Sequence, residues 1–298
     1  MANTRELRRR IKSVKNTSQI TKAMQMVAAT KMRRAQVQAT SGRPYAQELK
    51  ISLSRLLPKV DIKTHPLLLG NDSDKQAAIL LSTDKGLVGA LNTNLIRTIN
   101  LDSSFSENNI IYYTVGKKGR SFVVKVGGDL RADFENLDTI TFRQAKQLAR
   151  LLMDSFQAKE IGQAFIIDPQ FISTLKQEPR KVKLLPIDLA DLETRNYEPG
   201  EKNPSSLNLD PSSNEFIYEP GPDVLLDYIL VHHLEEQIYQ ALLETKASEH
   251  SARMIAMQNA TDNAKELVED LTLTYNQTRQ SAITTELLEI TTAQVAMQ

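Results

Sequence analysis

Two glycine-bearing loops are the segments of this sequence that come closest to a chemical site. Ser82-Thr83-Asp84-Lys85-Gly86-Leu87-Val88-Gly89 follows an apolar run and opens a helical stretch. There an α/β fold presents the free N–H groups of a helix N-terminus to a phosphate. Val115-Gly116-Lys117-Lys118-Gly119 has the same form. Neither reads G-x-G-x-x-G or G-x-x-x-x-G-K-[ST], the two spacings that wrap backbone amides round a phosphate. A tight strand-to-helix turn asks for glycine at these places anyway.

The other candidate chemistries lack their residue sets. The four histidines are His65, His232, His233 and His250. His232 and His233 are adjacent and point to different helix faces, and no H-E-x-x-H occurs, so no metal set is expected. No G-x-S-x-G marks a nucleophile. Cysteine is absent, which removes disulfides, thiolate ligands and thiol nucleophiles. No catalytic residue, cofactor site or metal site is expected, and an enzyme reading has nothing to stand on.

Charge is uneven although the net charge is only +1. Residues 1–36 carry ten Lys/Arg against the single acid Glu6, while residues 262–298 carry six acids against Lys265 and Arg279. Opposite charge on two segments favours their approach and offers both signs to partners. A basic helix could also meet DNA or a membrane surface. Only 5% of residues are aromatic and there is no Trp, so stacking platforms are missing and no nucleic-acid partner is expected. No apolar run approaches the ~20 residues that span a bilayer, so no transmembrane insertion is expected. The basic N-terminus has no apolar h-region, and its helical pattern runs on to about residue 41, so it is not read as a targeting segment.

The elements that must carry these residues show in where breakers are missing. All 11 Gly and all 11 Pro lie between Gly42 and Pro222. The 76 residues 223–298 have neither. Gly and Pro cost roughly 1 and 3 kcal/mol in a helix interior, so each end of the chain reads as a long helix. Asn3 with Glu6 resembles a capping box, and Pro222-Asp223 fits the first turn of the second helix. Gly42-Arg43-Pro44 is expected to punctuate the first helix, which resumes at Pro44 and ends before Pro58.

Both ends carry an alternating four-three spacing. In the first it is Leu7, Ile11, Val14, Ser18, Thr21, Gln25, Ala28, Met32 and Ala35. In the second it is Met257, Thr261, Ala264, Val268, Leu271, Tyr275, Thr278 and Ala282. That is a coiled-coil seam. It is weak, because Thr, Ser, Ala and Gln stand where Leu would add about 2 kcal/mol each. Two ordinary amphipathic helices of a bundle are the plainer reading, and length argues against it. Between the ends, Ala77–Ser82, Asn109–Val115, Gln163–Asp168 and Lys181–Ile187 read as strands. They alternate with helical stretches near Val88–Ile99, Lys117–Val126 and Phe142–Gln157. That order predicts a largely parallel sheet. The fold class is therefore α/β: an antiparallel coiled coil of the two ends plus a Rossmann-like middle domain. The expected divisions are 1–58, 75–215 and 220–298, with 195–222 an irregular connection.

Several stretches resemble a known family. Ile11-Lys12-Ser13-Val14-Lys15-Asn16-Thr17 and Ile20-Thr21-Lys22-Ala23-Met24-Gln25-Met26-Val27-Ala28-Ala29-Thr30-Lys31 resemble the N-terminal helix of F-type ATP synthase gamma subunits. Ser248-Glu249-His250-Ser251-Ala252-Arg253-Met254, Tyr275-Asn276-Gln277-Thr278-Arg279-Gln280 and Ile283-Thr284-Thr285-Glu286-Leu287-Leu288-Glu289-Ile290 resemble their C-terminal helix. The two glycine loops match the family's middle domain.

The resemblance implies a non-catalytic rotary shaft. Its coil would sit in the bore of the alpha3beta3 hexamer, and its foot would bind the epsilon subunit and the membrane c-ring. Proton flow would turn it, driving ATP synthesis at the beta subunits, and it would contribute to regulation of ATPase activity. Arg279 and Gln280 resemble the pair that bonds a beta-subunit loop, and Met24 the methionine facing a beta-subunit lever. Leu287, Leu288, Ile290 and Val295 would form the tip in the hexamer's upper sleeve. The location implied is peripheral, on the cytoplasmic face of a bacterial cell membrane. Two departures stand out: Thr291-Thr292-Ala293 where the family usually has Gly and Ala, and a long stretch Glu198–Ser213. A free coiled-coil scaffold and a nucleotide-binding α/β enzyme are the alternatives.

Overall fold

The computed structural model describes residues 4–60, 65–101, 109–188 and 218–297. Asn3 and the stretch Glu198–Ser213 lie outside them. The two breaker-free ends form helix α1, Thr4–Leu56, and helix α5, Pro222–Ala296. With 75 residues, α5 is about 110 Å long. It opens with Pro222 in its first turn and Asp223 beside the positive end of the helix dipole. Between the long helices lie β1 (Gln76–Leu81), α2 (Leu91–Leu101), β2 (Ile110–Val115), α3 (Lys117–Val126) and β3 (Asp129–Phe134). They are followed by α4 (Phe142–Gln157), β4 (Gln163–Phe171) and β5 (Gln177–Leu185).

The expected break at Gly42-Arg43-Pro44 does not occur, and α1 runs through it. Pro44 withholds a backbone donor from the preceding turn. Tertiary contact with α5 carries the helix across. Gln240 Nε2 donates to the Ala39 carbonyl at 3.0 Å, and Tyr45 shares a 2.6 Å hydrogen bond with His232 Nε2. A Cβ on residue 42 would sit 3.2 Å from Gln240 Oε1, so glycine makes room for that side chain.

The seam follows the four-three spacing. Every α1 position from Leu7 to Ala35 in that spacing is buried or half-buried, as are the α5 positions from Met257 to Thr278. The Thr21 and Thr261 hydroxyls share a 2.7 Å hydrogen bond across it, which fixes an antiparallel register. Counted outward at equal rise, Thr4 comes level with Thr278. Ala282 lies past that point and is exposed, unlike the rest of its row.

The middle of the chain is a five-stranded sheet in the order β3-β2-β1-β4-β5. The first four strands are parallel, and β5 returns antiparallel to β4. β1 is buried on both faces, as a central parallel strand must be. Ala77, Ile79 and Leu81 join Leu148 and Leu152 of α4 and Leu230 and Leu234 of α5 in one core. Ala78 and Leu80 join Leu95 of α2 and Val123 of α3 in the other. The long helix is thus one of the layers that close the sheet. β3 was not among the expected strands. It is an edge strand in which exposed Asp129, Arg131 and Asp133 alternate with half-buried Leu130, Ala132 and Phe134.

Gly116 marks the turn from β2 into α3. Its φ is +97°, and a Cβ there would lie 2.4 Å from the Ser82 carbonyl oxygen. Gly116→Ala should therefore cost about 2–4 kcal/mol. Urea unfolding of the purified chain, followed by circular dichroism, measures this.

Candidate functional site

The two glycine loops meet at the C-terminal edge of the parallel strands, where an α/β fold binds ligands. The amides that open α3 are already used. Lys117 N donates to Asp84 Oδ1 at 2.9 Å, Lys118 N to the Thr83 carbonyl at 3.0 Å, and Gly119 N to Ser82 Oγ at 2.7 Å. The first turn of α3 is thus capped by the neighbouring loop and has no donor left for a phosphate. Thr83 N donates to Asn92 Oδ1, which binds the loop to α2.

The space above these strand ends is filled by α5. Lys246, 4% exposed, donates from Nζ to the Asn136 carbonyl at 3.1 Å and to Glu249 Oε2 at 3.2 Å. Asn136 Nδ2 donates to the Ser82 carbonyl and to Glu249 Oε2. Arg253 donates to Glu249 Oε1 at 3.0 Å and reaches the Lys85 and Gly86 carbonyls. On the β4–β5 side, Arg180 forks onto fully buried Asp168 at 3.2 and 2.8 Å and also reaches Glu244 at 3.2 Å. Burial pushes the Asp168 carboxyl up to about 6 against the opposing pull of Arg180. Burial likewise pushes Glu236 up to about 7, and His233 and His250 down to about 4.

The histidines are dispersed. His65 pairs with Asp227 at 2.8 Å, His232 bonds Tyr45, and His233 and His250 are buried. Among the described residues no cluster of His, Asp or Glu is arranged for a metal ion. None of their helices is long and apolar enough to cross a membrane.

The residues singled out for partner contact fall at two stations on the coil. Arg279 and Gln280 are exposed on the stretch of α5 beyond the level of Thr4. Leu287, Leu288, Ile290 and Val295 follow on the same stretch, each more than half exposed. Met24 is half-buried, one turn from the Thr21–Thr261 contact and level with residue 258. About 30 Å of helix separates it from Arg279, so the two do not share a surface. Along the projecting stretch the threonine hydroxyls turn inward. Thr284 donates to the Gln280 carbonyl, Thr285 to Ser281, and Thr291 to Leu287, each at 2.9–3.0 Å. Thr291 and Thr292 thereby continue the helix where the resemblance would have small residues.

The buried polar cluster round Lys246 and Glu249 escaped the sequence reading. One signal was there: from Glu244 to Ser251 only Ala247 is apolar, in the middle of a helix. A helix polar on all sides is either solvated or gripped by polar partners.

A family model described as ATP synthase matches residues 3–297. The ATP synthase gamma chain of Methylacidiphilum infernorum is 44% identical over 302 residues, covering all of both chains. That of Akkermansia muciniphila is 42% identical over 298 residues, again covering all of both. Among solved structures, a chain of the Tetrahymena thermophila mitochondrial ATP synthase central stalk and c-ring is 25% identical with a TM-score of 0.58, covering 81% of this chain and 99% of that one. A chain of the Euglena gracilis mitochondrial ATP synthase shares the fold at 22% identity and a TM-score of 0.66, covering 99% of this chain and 94% of that one. Two long helices sharing a seam, a parallel sheet closed by one of them, and relatives above 40% identity matched from end to end lead to one assignment: the chain belongs to the ATP synthase gamma chain family.

Proposed function

We infer that the chain is the non-catalytic rotary shaft of an F-type ATP synthase, coupling proton flow to ATP synthesis on partner beta subunits. One observation carries this. α5 is a single helix, packed into its own chain's α/β body from Leu226 to Ser251 and, among the described residues, bare on every side past Thr278. Ile283, Leu287 and Ile290 share one face of the bare stretch, while Leu288 and Val295 lie about 120° away. Apolar groups on more than one face favour an enclosing sleeve over a one-sided groove. The bore of an alpha3beta3 hexamer is such a sleeve.

In this reading the body at the other end binds the epsilon subunit and the membrane c-ring. The chain is peripheral, at the cytoplasmic face of the cell membrane. Arg279 has no side-chain partner among the described residues, so its guanidinium is available to a beta-subunit loop, with Gln280 beside it. Met24 faces a beta-subunit lever at the lower station. The shaft's faces differ, so each angle contacts the three beta subunits differently and shifts their states unequally. The same contacts contribute to regulation of ATPase activity.

Tagging the chain in its native cell tests the assignment. Three alpha and three beta chains per copy, with ATP hydrolysis in the complex and none in the isolated chain, are expected. A clean monomer or homodimer would point instead to a free scaffold. Arg279→Ala with Gln280→Ala should lower ATPase turnover of the assembled complex two- to tenfold, roughly the net worth of one hydrogen bond of about 0.5–1.5 kcal/mol. Unchanged turnover would remove both residues from the mechanism. Met24→Lys should reduce ATP-driven proton pumping more than hydrolysis, because a new charge meets a partly buried surface. Inverted vesicles with a pH-sensitive dye read this out.

A further inference from the structure

We propose that residues 244–253 of α5 form a keyed joint that passes torque between the long helix and the α/β body. The proposal rests on the shaft reading above and names the residues that transmit the turn.

Below this level α5 meets the body through Leu226, Leu230, Leu234, Ile238 and Leu242. Apolar burial holds surfaces together but has no direction of its own. Ion pairs from His65 and Lys146 also reach this stretch, but the buried side-chain hydrogen bonds to the sheet and its loops are concentrated in the next ten residues. Ser248 Oγ donates to the Pro169 carbonyl at 2.8 Å, and Ser251 Oγ to the Thr174 carbonyl at 2.6 Å. Glu244 accepts from Arg180. These three α5 positions follow at steps of four and three, so they share one face, and their partners all belong to β4, β5 and the turn between them.

Lys246, Glu249 and Arg253 follow at steps of three and four. They are offset by two residues, about 200°, and so occupy the opposite face. Their partners are Asn136 after β3, and the Lys85 and Gly86 carbonyls after β1. The helix is therefore bonded to one rigid sheet from two opposite sides. A grip on one side lets a cylinder roll, whereas a grip on two opposite sides opposes rotation about its axis.

The choice of residues points the same way. Buried ion pairs are weak contributors to stability, and apolar residues of similar size often hold a fold as well. What Lys246, Glu249 and Asn136 supply is a single angular setting. Ser248 and Ser251 are fully buried and hydrogen-bonded, which a bare packing contact would not need.

The absence of cysteine makes the test clean, since one introduced cysteine takes one bead. In the alpha3beta3 complex with this chain, ATP-driven rotation would be recorded with the bead on Lys125→Cys of α3 or on Val224→Cys of α5, both exposed positions. The first is reached only through the body, the second along α5 itself. In the variant Lys246→Met, Glu249→Met and Ser251→Ala, angular variance during pauses should rise at least about twofold for the α3 bead, as directional bonds of the joint are lost. It should stay at the parental value for the α5 bead. The milder variant Ser248→Ala with Ser251→Ala should fall between. Parental variance at the α3 bead would overturn the joint. So would an equal rise at both beads, which is general softening. Failure of the parental chain to rotate with either bead would remove the shaft reading itself, and the joint with it.

Discussion

Most of a helix's stability in a protein comes from what packs against it, so what covers each part of the roughly 110 Å of α5 decides everything else. Its first turns are covered by the sheet, α4 and the end of α1. From Glu244 to Arg253 it is covered on opposite sides by polar partners, and its next third is covered by α1. Its last turns are covered by nothing among the described residues. These zones follow one another along a single element without a break. The α/β body anchors the helix, α1 stiffens it, and the final stretch remains available to a partner.

The same constraint explains why the α/β body does not act as its topology suggests. Its strand order and glycine turns place a crevice where related architectures hold phosphates. Here α5 occupies that position, and Asp84 and Ser82 cap α3 from within. The glycines serve geometry: Gly116 is needed because the Ser82 carbonyl passes close behind it. Serine and lysine at these loops mimic a phosphate site in sequence because the turn, and not a ligand, selects the glycines beside them.

The long elements were legible from type and spacing alone. Missing Gly and Pro marked both helices, and the four-three spacing picked out the positions that meet, even with Thr21 and Thr261 where leucines would be stronger. The break at Pro44 was misread because Gln240 and Tyr45–His232 act from nearly two hundred residues away. β3 was missed because an edge strand needs only one apolar row. The Lys246–Glu249 cluster was invisible because charge in a helix usually signals water. Arg279, Gln280 and Met24 were reached by resemblance only, since nothing in their spacing distinguishes them from other surface residues.

The inward-turned threonines have a consequence for how the end of α5 meets whatever encloses it. A free hydroxyl on a turning cylinder would form and break a bond of about 1 kcal/mol at each angle. A methyl whose hydroxyl is already bonded to its own helix trades contacts of only about 0.1–0.2 kcal/mol per atom pair. The angular energy profile of such a surface is shallow. The threonines therefore add no detent of their own, and orientation is left to the sheet that holds α5 and to the few charged side chains the end exposes.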